Sequence, residues 1–381
     1  MTVQNSVQQV EVSFTEALAT AIDIAARCPS SHNCQPWALA HLATDLVRRR
    51  AAAMFDDSDT RDEFLVLAAD RARELGALPA AHHIEMQLSC GLFWRLLQRA
   101  LAAQGWMVGS VVTSRAFDFG ELGLDTGWRP LRLIRLHRTA ERTESLAQLR
   151  ATTTARHTDR SPYLNKLIPS AILDDLAALG ARRKPRVHVR YLISEHDRNR
   201  FVRFVARHAG RDFAHTSAWR ETHSFIRRNE IEAQERGDGF TFAHLFGSLS
   251  RGQTLLRRVV LAPVTMRMMR ATGLPRILAG QLATVVGSSR VVATLCVADS
   301  PTDDDLLTAG ELLTDFWLHA TDAGLVLHPI SVVIQHEDLR EQLQSEFALT
   351  GHVFFVARLG YSAQHFPPTP RRDPHTLLRT L

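Results

Sequence analysis

The sequence predicts a mixed helix-and-sheet protein built from two copies of one helix–strand unit. Three pairs of matching segments support this prediction, and they occur in the same order in the two halves of the 381-residue chain. One pair starts at 91 and 310, an offset of 219, a second starts at 129 and 352, an offset of 223, and a third is offset by about 150 to 155. Three matches in one order indicate an internal repeat rather than chance.

The first pair consists of two helical segments, GLFWRLLQRALAAQG (91–105) and GELLTDFWLHATDAG (310–324). Each begins with glycine, carries apolar residues at helical spacing and ends with glycine. The closing glycine is expected at the end of a helix, because glycine adopts the left-handed conformation without strain. We therefore expect two equivalent helices.

The other pairs add further helices and strands to each copy. We expect strands at 129–138 and 352–361, and helix–strand pairs at 14–28 with 37–42 and at 170–184 with 187–193. Because the offset grows by about 65 residues between the third pair and the first, the second copy should contain an insertion of that size.

We place the first copy at 1–140, the second copy at 150–381 and the insertion at about 205–290. Within the insertion, the segment 258–287 is apolar, with scattered arginines, methionines and two prolines. Two interpretations stay open for it. It adds core packing, or it forms a lid over a planar ligand, to which methionine side chains adapt well.

The composition limits the class of protein. Apolar residues make up 45% and charged residues 22% of the chain, as in an ordinary globular protein. The four cysteines lack disulfide-framework spacing, which favours a reducing compartment. The first twelve residues lack the parts of a signal peptide, and arginines interrupt the longest apolar region. We expect a cytoplasmic protein without a membrane partner.

The formal net charge is +5 and the sequence pI is about 9.4. Basic and acidic residues are interspersed, and neither an aromatic stacking pattern nor zinc-finger spacing accompanies them, so no nucleic acid partner is expected. A small anionic ligand, such as a phosphate-bearing cofactor, needs only two or three well-placed arginines.

The most unusual stretch is RCPSSHNCQPW (27–37). Its two cysteines are six residues apart with no second pair, which does not fit a zinc site, and no metal is expected. A catalytic thiol beside His32 is less favoured than a loop of hydrogen-bond donors. Ser30, Ser31, Asn33 and Gln35 could bind the edge of a flat polar ring. The chain contains no G-x-S-x-G, P-loop or G-x-G-x-x-G motif.

The segment PSSHNCQPW (29–37) resembles the P-S-S-x-N-x-Q-P-W loop of the FMN-dependent nitroreductase-like flavoproteins. ARHTDRSPY (155–163) is similar to that family's opening R-x-S/T-x-R/K motif, GLVLHPISVV (324–333) to its stretch before the last helix, and PPTPRRDP (367–374) to its basic C-terminal segment. The resemblance implies an α+β fold, normally a homodimer with FMN at the interface. This chain would belong to the duplicated single-chain branch, which forms an intramolecular pseudo-dimer with a helical lid insertion in its second copy.

The resemblance implies one FMN site rather than two, because only the first copy has the P-S-S-x-N loop and only the second has the arginine motif. The implied cofactor contacts are Pro29, Ser30, Ser31 and Asn33 on the ring, main-chain groups near Pro329 and Ile330 at its N5 and pyrimidine edge, and Arg156, His157, Thr158, Arg160, Arg371 and Arg372 on the phosphate and ribityl chain. Candidate catalytic residues are His32 as a proton donor and Asn33 and Gln35 as orienting groups.

Three functions are compatible with the resemblance. The first is a tailoring oxidase or dehydrogenase of secondary metabolism that acts on a small heteroaromatic or alcohol substrate, for example oxidising an alcohol to an aldehyde, with O2 as electron acceptor. The second is an NAD(P)H-dependent reductase of nitro groups, quinones or enones, and the third is a flavin-sequestering protein. Hydride transfer at flavin N5 is expected for the two enzymes. Because the duplication supplies the dimer interface within one chain, a monomer is feasible.

Overall fold

The computed structural model describes residues 12–114, 119–182, 186–364 and 366–381. Its strands are β1 (Trp37–His41), β2 (Glu63–Asp70), β3 (Trp106–Thr113), β4 (Trp128–Arg138), β5 (His188–Leu192), β6 (Val291–Val297), β7 (Val326–Pro329), β8 (His352–Gly360) and β9 (Leu378–Thr380). They form a five-stranded sheet in the order β3–β4–β2–β1–β9 and a four-stranded sheet in the order β5–β6–β8–β7.

The helices surround these sheets and separate their strands along the chain. They are α1 (Phe14–Ala25), α2 (Asp45–Ala52), α3 (Pro79–Ala102), α4 (Leu146–Ala155), α5 (Ser170–Ala181), α6 (Glu195–His208), α7 (Gly210–Ala214), α8 (Thr216–Ser224), α9 (Glu230–Arg236), α10 (Phe242–Phe246), α11 (Arg251–Val260), α12 (Pro263–Met268), α13 (Leu274–Gly287), α14 (Asp303–Asp322) and α15 (Glu337–Glu346). The predicted helix at 170–184 ends at Ala181, and its positions 183 and 184 lie outside the described residues.

The two sheets confirm the predicted duplication. β1, β2, β3 and β4 occupy the same places in the first sheet as β5, β6, β7 and β8 in the second. The β2–β4 ladder has a bulge after Leu67, which pairs with Arg132, and the β6–β8 ladder has a bulge after Leu295, which pairs with Phe355. A bulge at the same place fixes the register between the two units and makes Arg132 the counterpart of Phe355.

The matched helices α3 and α14 run side by side in the same direction at the centre of the molecule. His83 lies 2.8 Å from Asp303 near their starts, and Arg95 lies 3.0 Å from Asp315 further along. Residues of both units share one hydrophobic core, in which Phe93 of α3 and Phe316 of α14 are fully buried. The interface between the units is therefore core packing rather than a surface contact.

Gly91 and Gly310 lie inside α3 and α14, and the expectation that they begin these helices is wrong. A Cβ atom on Gly91 would lie 2.1 Å from the carbonyl oxygen of Leu307, and one on Gly310 would lie 2.3 Å from that of Leu88. The glycines are thus required where the two helices touch. The closing glycines, Gly105 and Gly324, have φ of 85° and 74°, as expected after a helix C-terminus.

Two features distinguish the second unit from the first. Eight helices, α6 to α13, lie between β5 and β6, whereas α2 alone lies between β1 and β2. The C-terminal strand β9 crosses to the other unit and pairs in parallel with β1, with Leu378 opposite Leu39. The insertion and the crossing tail both pack around the loop after α1.

In the described residues, no helix has the length and apolar character needed to cross a membrane.

Candidate functional site

A cavity of about 390 Å³ lies between the two units, and segments of both units line it. This volume is in the usual range of small-molecule sites, about 300–1,000 Å³. The lining comes from the loop after α1 (Arg27 and 29–33), from α3 (Glu85, Leu88, Ser89, Leu92), from 153–160, from the insertion (Thr222, Phe240, His244, Leu245), from α14 (Leu313, Trp317), from 329–334 and 354–356, and from the tail (366–369 and Arg371).

Eleven of the fourteen predicted site residues line this cavity. They are Pro29, Ser30, Ser31, His32, Asn33, Arg156, His157, Thr158, Arg160, Pro329 and Arg371. The arginine motif follows α4 and is fixed by a bridge between Thr158 and Leu327 of β7. His157 lies 3.7 Å from Asp159, and this neighbouring carboxylate raises the pKa of the imidazole.

The loop after α1 adopts a backbone conformation that is rare for residues other than glycine. His32, Asn33 and Gln35 have φ of 49°, 54° and 51°. The Asn33 amide donates to the carbonyl oxygen of Gly239 at 2.9 Å, and the Gln35 amide donates to that of Gly237 at 2.7 Å. The insertion therefore holds the loop in this strained form and aims the side chains of 29–33 at the cavity.

Three predicted site residues, Gln35, Ile330 and Arg372, lie outside the cavity lining. Gln35 is fully buried and accepts the Arg372 main-chain N–H at 3.0 Å. The Arg372 guanidinium donates to the carbonyl oxygens of Gln35 and Trp37 at 3.0 and 3.2 Å. This arginine fastens the tail to the loop and is not placed to hold a phosphate. Arg371 and Arg372 are adjacent, and adjacent side chains of an extended segment point to opposite sides. The sequence motif therefore could not show which of the two arginines faces the cavity.

Four arginines line the cavity. Arg27, Arg156 and Arg371 lie together at one end, and Arg160 donates to the carbonyl oxygen of His244 at 3.1 Å. Arg156 and Arg371 both donate to the carbonyl oxygen of Arg27, at 3.3 and 3.1 Å. The guanidinium carbon of Arg156 also lies 5.0 Å from the centre of the Trp317 ring. Within the described ranges, no carboxylate lies within ion-pair distance of any of the four guanidinium groups.

Burial makes these uncompensated charges costly. Burial first, and Arg371 second, lowers the pKa of Arg156 to about 9, and burial lowers the pKa of Arg160 and of Arg371 to about 10. All three remain charged at neutral pH. The Nε and Nη1 atoms of Arg156 are buried without a hydrogen-bond partner. Partly buried cations of this kind are normally paired, so this end of the cavity is suited to an anion.

The opposite end of the cavity carries a carboxylate. Glu85 lies six residues before Gly91 on α3, and Trp317 lies seven residues after Gly310 on α14. Because the two helices run in the same direction, Glu85 is about 20 Å from Trp317 along the helix axis. The Ser31 hydroxyl donates to Glu85, and the Gln335 amide donates to its other oxygen at 3.1 Å. An elongated ligand could thus have its anionic group at the arginines and its other end at Glu85.

His32 and the cysteines are poor candidates for proton transfer or nucleophilic attack. Burial first, then His82 and Arg160, lowers the pKa of His32 to about 3, so its imidazole is neutral near pH 7. Its role as a proton donor stays a prediction. Burial raises the pKa of the Cys28 and Cys34 thiols, which keeps both protonated. Among the described residues, no cluster of histidine, cysteine or carboxylate groups could hold a metal ion.

The pseudo-symmetric counterpart of the cavity is filled by an ion-pair cluster. Arg132 of β4 contacts Glu311 at 2.5 Å, Asp304 at 2.7 Å and Thr308 at 3.1 Å on α14. The offset of 219 relates these α14 residues to three cavity residues on α3, namely Leu92, Glu85 and Ser89. Arg132 itself is the counterpart of Phe355, which also lines the cavity. Each residue of this ion-pair cluster therefore occupies a position whose pseudo-symmetric counterpart lines the cavity.

A curated protein named "Probable NAD(P)H nitroreductase PigM", from Serratia sp. (strain ATCC 39006), is 32% identical to the chain over 376 residues, covering 97% of this chain and 95% of that protein. The chain belongs to the nitroreductase-like superfamily of FMN-dependent flavoproteins. The predicted superfamily and the predicted class of FMN-dependent oxidoreductase are confirmed at this level. No protein-family model matches the chain.

Solved structures of other superfamily members are more distant from this nitroreductase-like protein. The FMN-dependent nitroreductase NfnB from Mycobacterium smegmatis, in complex with NADPH, is 13% identical with a TM-score of 0.38, covering 61% of this chain and 97% of its own. A nitroreductase-like family protein from Bacillus cereus is 13% identical with a TM-score of 0.35, covering 62% of this chain and 96% of its own.

Asp212 of the insertion gives the protein a testable pH dependence. Burial, and then the charge of Glu85, raises the pKa of Asp212 to about 7, and its Oδ1 lies 3.9 Å from Nε2 of His336. Between pH 4 and 7 the folded state holds a proton on Asp212 that the unfolded state has lost, so the free energy of unfolding falls as the pH rises through this window.

Asp212→Asn should remove this dependence and stabilise the protein at pH 8 by about 2 to 4 kcal/mol, since one pKa unit corresponds to about 1.4 kcal/mol. Urea denaturation at pH 5 and pH 8 measures the effect. Asp56→Asn, at an exposed position, is the control. An equal change at both pH values would contradict the assignment.

Proposed function

We propose that this protein binds a single FMN in the cavity between its units and oxidises a small planar substrate. The preferred reaction is the oxidation of an alcohol on a heteroaromatic compound to an aldehyde in secondary metabolism. Bound FMN would supply a hydride acceptor, its N5 atom, and O2 would take up the two electrons as hydrogen peroxide. The four arginines without carboxylate partners carry the proposal, because the dianionic 5′-phosphate of FMN supplies the missing charge.

The cavity residues fit FMN along its length. Arg27, Arg156, Arg160 and Arg371, which all line the cavity, would hold the phosphate through charge-assisted bonds. The ring would lie in the apolar part of the cavity, beside the 29–33 loop and the main chain at Pro329. Arg27 was not predicted from the sequence, because it precedes the residues that match the P-S-S-x-N-x-Q-P-W loop. Its carbonyl oxygen accepts a hydrogen bond from Arg156, and this contact reveals its position.

The position of Glu85 favours oxidation of an alcohol. Removing a hydride from the carbinol carbon requires that the hydroxyl proton go to a base, and Glu85 is the carboxylate at the ring end of the cavity. The Ser31 hydroxyl and the Gln335 amide fix its orientation. The alcohol would thus lose a hydride to the flavin and a proton to Glu85, and the product is an aldehyde.

The lid insertion favours a small substrate over a dinucleotide. Thr222, Phe240, His244 and Leu245 cover part of the cavity, and Phe240 and His244 are buried. The methionine-bearing segment 258–287 does not line the cavity, so the interpretation of these methionines as a cover over the ligand is not retained. This partial cover would limit the access of bulk water during hydride transfer.

The second candidate is an NAD(P)H-dependent reductase, which the name of the Serratia relative favours. To distinguish the reductase from the oxidase, the FMN-loaded protein is mixed anaerobically with NADPH or NADH while the flavin absorbance is recorded. We expect slow or no bleaching by either nucleotide, bleaching by heteroaromatic alcohols, and rapid recovery of colour with O2. Rapid bleaching by a nucleotide would overturn the oxidase. Failure of every alcohol together with slow recovery after chemical reduction would indicate a flavin store.

Glu85→Gln tests the base directly. We expect alcohol oxidation to fall by about 10²- to 10⁴-fold, the usual contribution of a general base, with FMN affinity unchanged. Glu235→Gln, at an exposed position of α9, is the control. A variant that keeps its turnover would show that Glu85 is not the proton acceptor, and one that loses FMN would show that Glu85 contributes to cofactor binding. A monomeric state and a cytoplasmic location remain predictions.

A further inference from the structure

The insertion carries a surface that neither the cavity nor the core uses. We define the basic apolar surface as the exposed residues of 251–277, a range that comprises α11, α12 and the first turn of α13. The chain has no acidic residue between Asp238 and Asp299. Six arginines lie within the surface, namely Arg251, Arg257, Arg258, Arg267, Arg270 and Arg276. In the described part of the chain, none of them forms an ion pair, so the surface has a net charge of +6.

Large apolar side chains stand exposed among these arginines. Leu255 and Leu256 are 62% and 63% exposed, and Met268 is 74% exposed. The remaining members are Val259, Val264, Met269 and Ile277. α11 has no buried residue at all. Apolar side chains scattered singly are normal on a surface, but a run of seven within 27 residues indicates an interaction site.

The arrangement along α11 is amphipathic, although the helix packs no face into the core. At about 100° per residue, Leu255, Leu256 and Val259 fall within an arc of about 100°. The three arginines of α11 lie outside that arc, and Arg257 stacks on the Phe246 ring at 3.9 Å. A helix with an exposed apolar stripe and an arginine-rich opposite face is typical of helices that lie in a membrane interface.

Two other uses of this surface are disfavoured. It does not cover the ligand, because no residue of 251–277 lines the cavity. It is also a poor surface for pairing with a second copy of the chain, because two such surfaces would bring six arginines against six without an acidic residue between them. The occupant must offer negative charge and an apolar phase together.

We propose that residues 251–277 dock this enzyme onto an anionic lipid bilayer. The arginines would face the lipid phosphates, and the leucine, valine and methionine side chains would enter the boundary between head groups and acyl chains. The expectation from the sequence that the chain has no membrane partner considered only a spanning segment. Surface docking needs no such segment, and it leaves the cavity between the two units undisturbed, because no residue of 251–277 lines that cavity.

Co-sedimentation of the FMN-loaded protein with vesicles tests this proposal. We expect binding to vesicles that contain phosphatidylglycerol, at least about 100-fold tighter than binding to phosphatidylcholine alone, because each basic residue near an anionic surface adds affinity. Binding should weaken strongly between low salt and about 0.5 M salt, where charges are screened. Equal binding to both kinds of vesicle, or binding to neither, would overturn the proposal.

Two surface variants separate the apolar and the ionic parts. Leu255→Ser with Leu256→Ser, and Arg251→Glu with Arg267→Glu, should each lower vesicle affinity by at least about tenfold. Neither pair contacts the core, so both variants should keep their bound FMN and their far-UV spectrum. The matched controls on α2, Leu46→Ser and Arg49→Glu with Arg50→Glu, lie at exposed positions and should bind like the unmodified protein.

Measurements on the same samples distinguish a lipid bilayer from two other partners, a second copy of the chain and an acidic protein. A concentration-dependent dimer that Leu255→Ser with Leu256→Ser abolishes would assign the surface to a second copy and overturn the lipid proposal. Tight binding to an acidic peptide, together with no binding to phosphatidylglycerol vesicles, would assign it to an acidic protein and would also overturn it.

Discussion

Replacing both Arg156 and Arg371 with alanine should abolish FMN binding at micromolar protein concentrations. Each guanidinium is expected to give a charge-assisted hydrogen bond to the phosphate worth about 1.5 to 3 kcal/mol. Loss of both should weaken binding by about 10²- to 10⁴-fold, since 1.4 kcal/mol corresponds to a factor of ten. Quenching of flavin fluorescence during titration of the apoprotein measures the affinity.

The same variant should not destabilise the protein without its cofactor. Arg156 and Arg371 repel each other across the carbonyl oxygen of Arg27, and burial lowers the pKa of both. Removing them relieves this repulsion but also removes the Arg371 hydrogen bond to Asn33 Oδ1 at 3.0 Å, so the apoprotein should unfold at a similar urea concentration. Arg49→Ala with Arg50→Ala, on the exposed face of α2, is the control. A double variant that still purifies with a full complement of FMN would contradict the phosphate assignment.

The second large effect is expected at Arg132, outside the proposed site. Arg132→Leu should lower the free energy of unfolding by about 3 to 5 kcal/mol, because it removes the guanidinium that contacts Glu311 inside the protein. Arg132 and Glu311 have side-chain exposures of only 8% and 9%. Urea denaturation of the FMN-loaded protein and of the apoprotein measures this loss.

A paired variant shows whether the cluster replaces cavity residues of the other side. Arg132→Phe with Glu311→Leu introduces the residues found at the matching positions, Phe355 and Leu92, and should recover much of the lost stability. Arg61→Leu breaks an exposed pair with Asp59 and should cost less than about 1 kcal/mol. If Arg132→Leu costs no more than Arg61→Leu, the cluster is not a buried structural element.

Much of the fold was accessible from the sequence because the duplication repeats its own signals. The offsets of 219 and 223 predicted the matched helices and strands, and the two sheets have the same strand order. The sequence could not show that Gly91 and Gly310 face each other, because a glycine at a helix contact and a glycine at a helix start look alike. The crossing of β9 to the first sheet was also missed, since a three-residue strand has no periodicity to read. The domain boundaries at 140 and 150 remain predictions.

The site was predicted in part, and the failures have a common cause. Motif spacing found the 29–33 loop and the arginine pair at 156 and 160, because these residues are close in sequence. Glu85 and Arg132 sit on long elements without any local signal, and their importance comes from residues far along the chain. Gln35 and Arg372 carry motif letters, yet their side chains bind main-chain carbonyl groups instead of facing the cavity.

The ratio of FMN to chain is the measurement that tests the central claim most directly. Titration of apoprotein with FMN, combined with light scattering of the loaded protein, gives both the number of sites and the number of chains per particle. The arrangement of Arg27, Arg156, Arg160 and Arg371 opposite the Arg132 cluster predicts one FMN per chain. Two FMN per chain would contradict the interpretation that the Arg132 cluster fills the second site. An absence of tight FMN binding would contradict the assignment of the cavity as a flavin site.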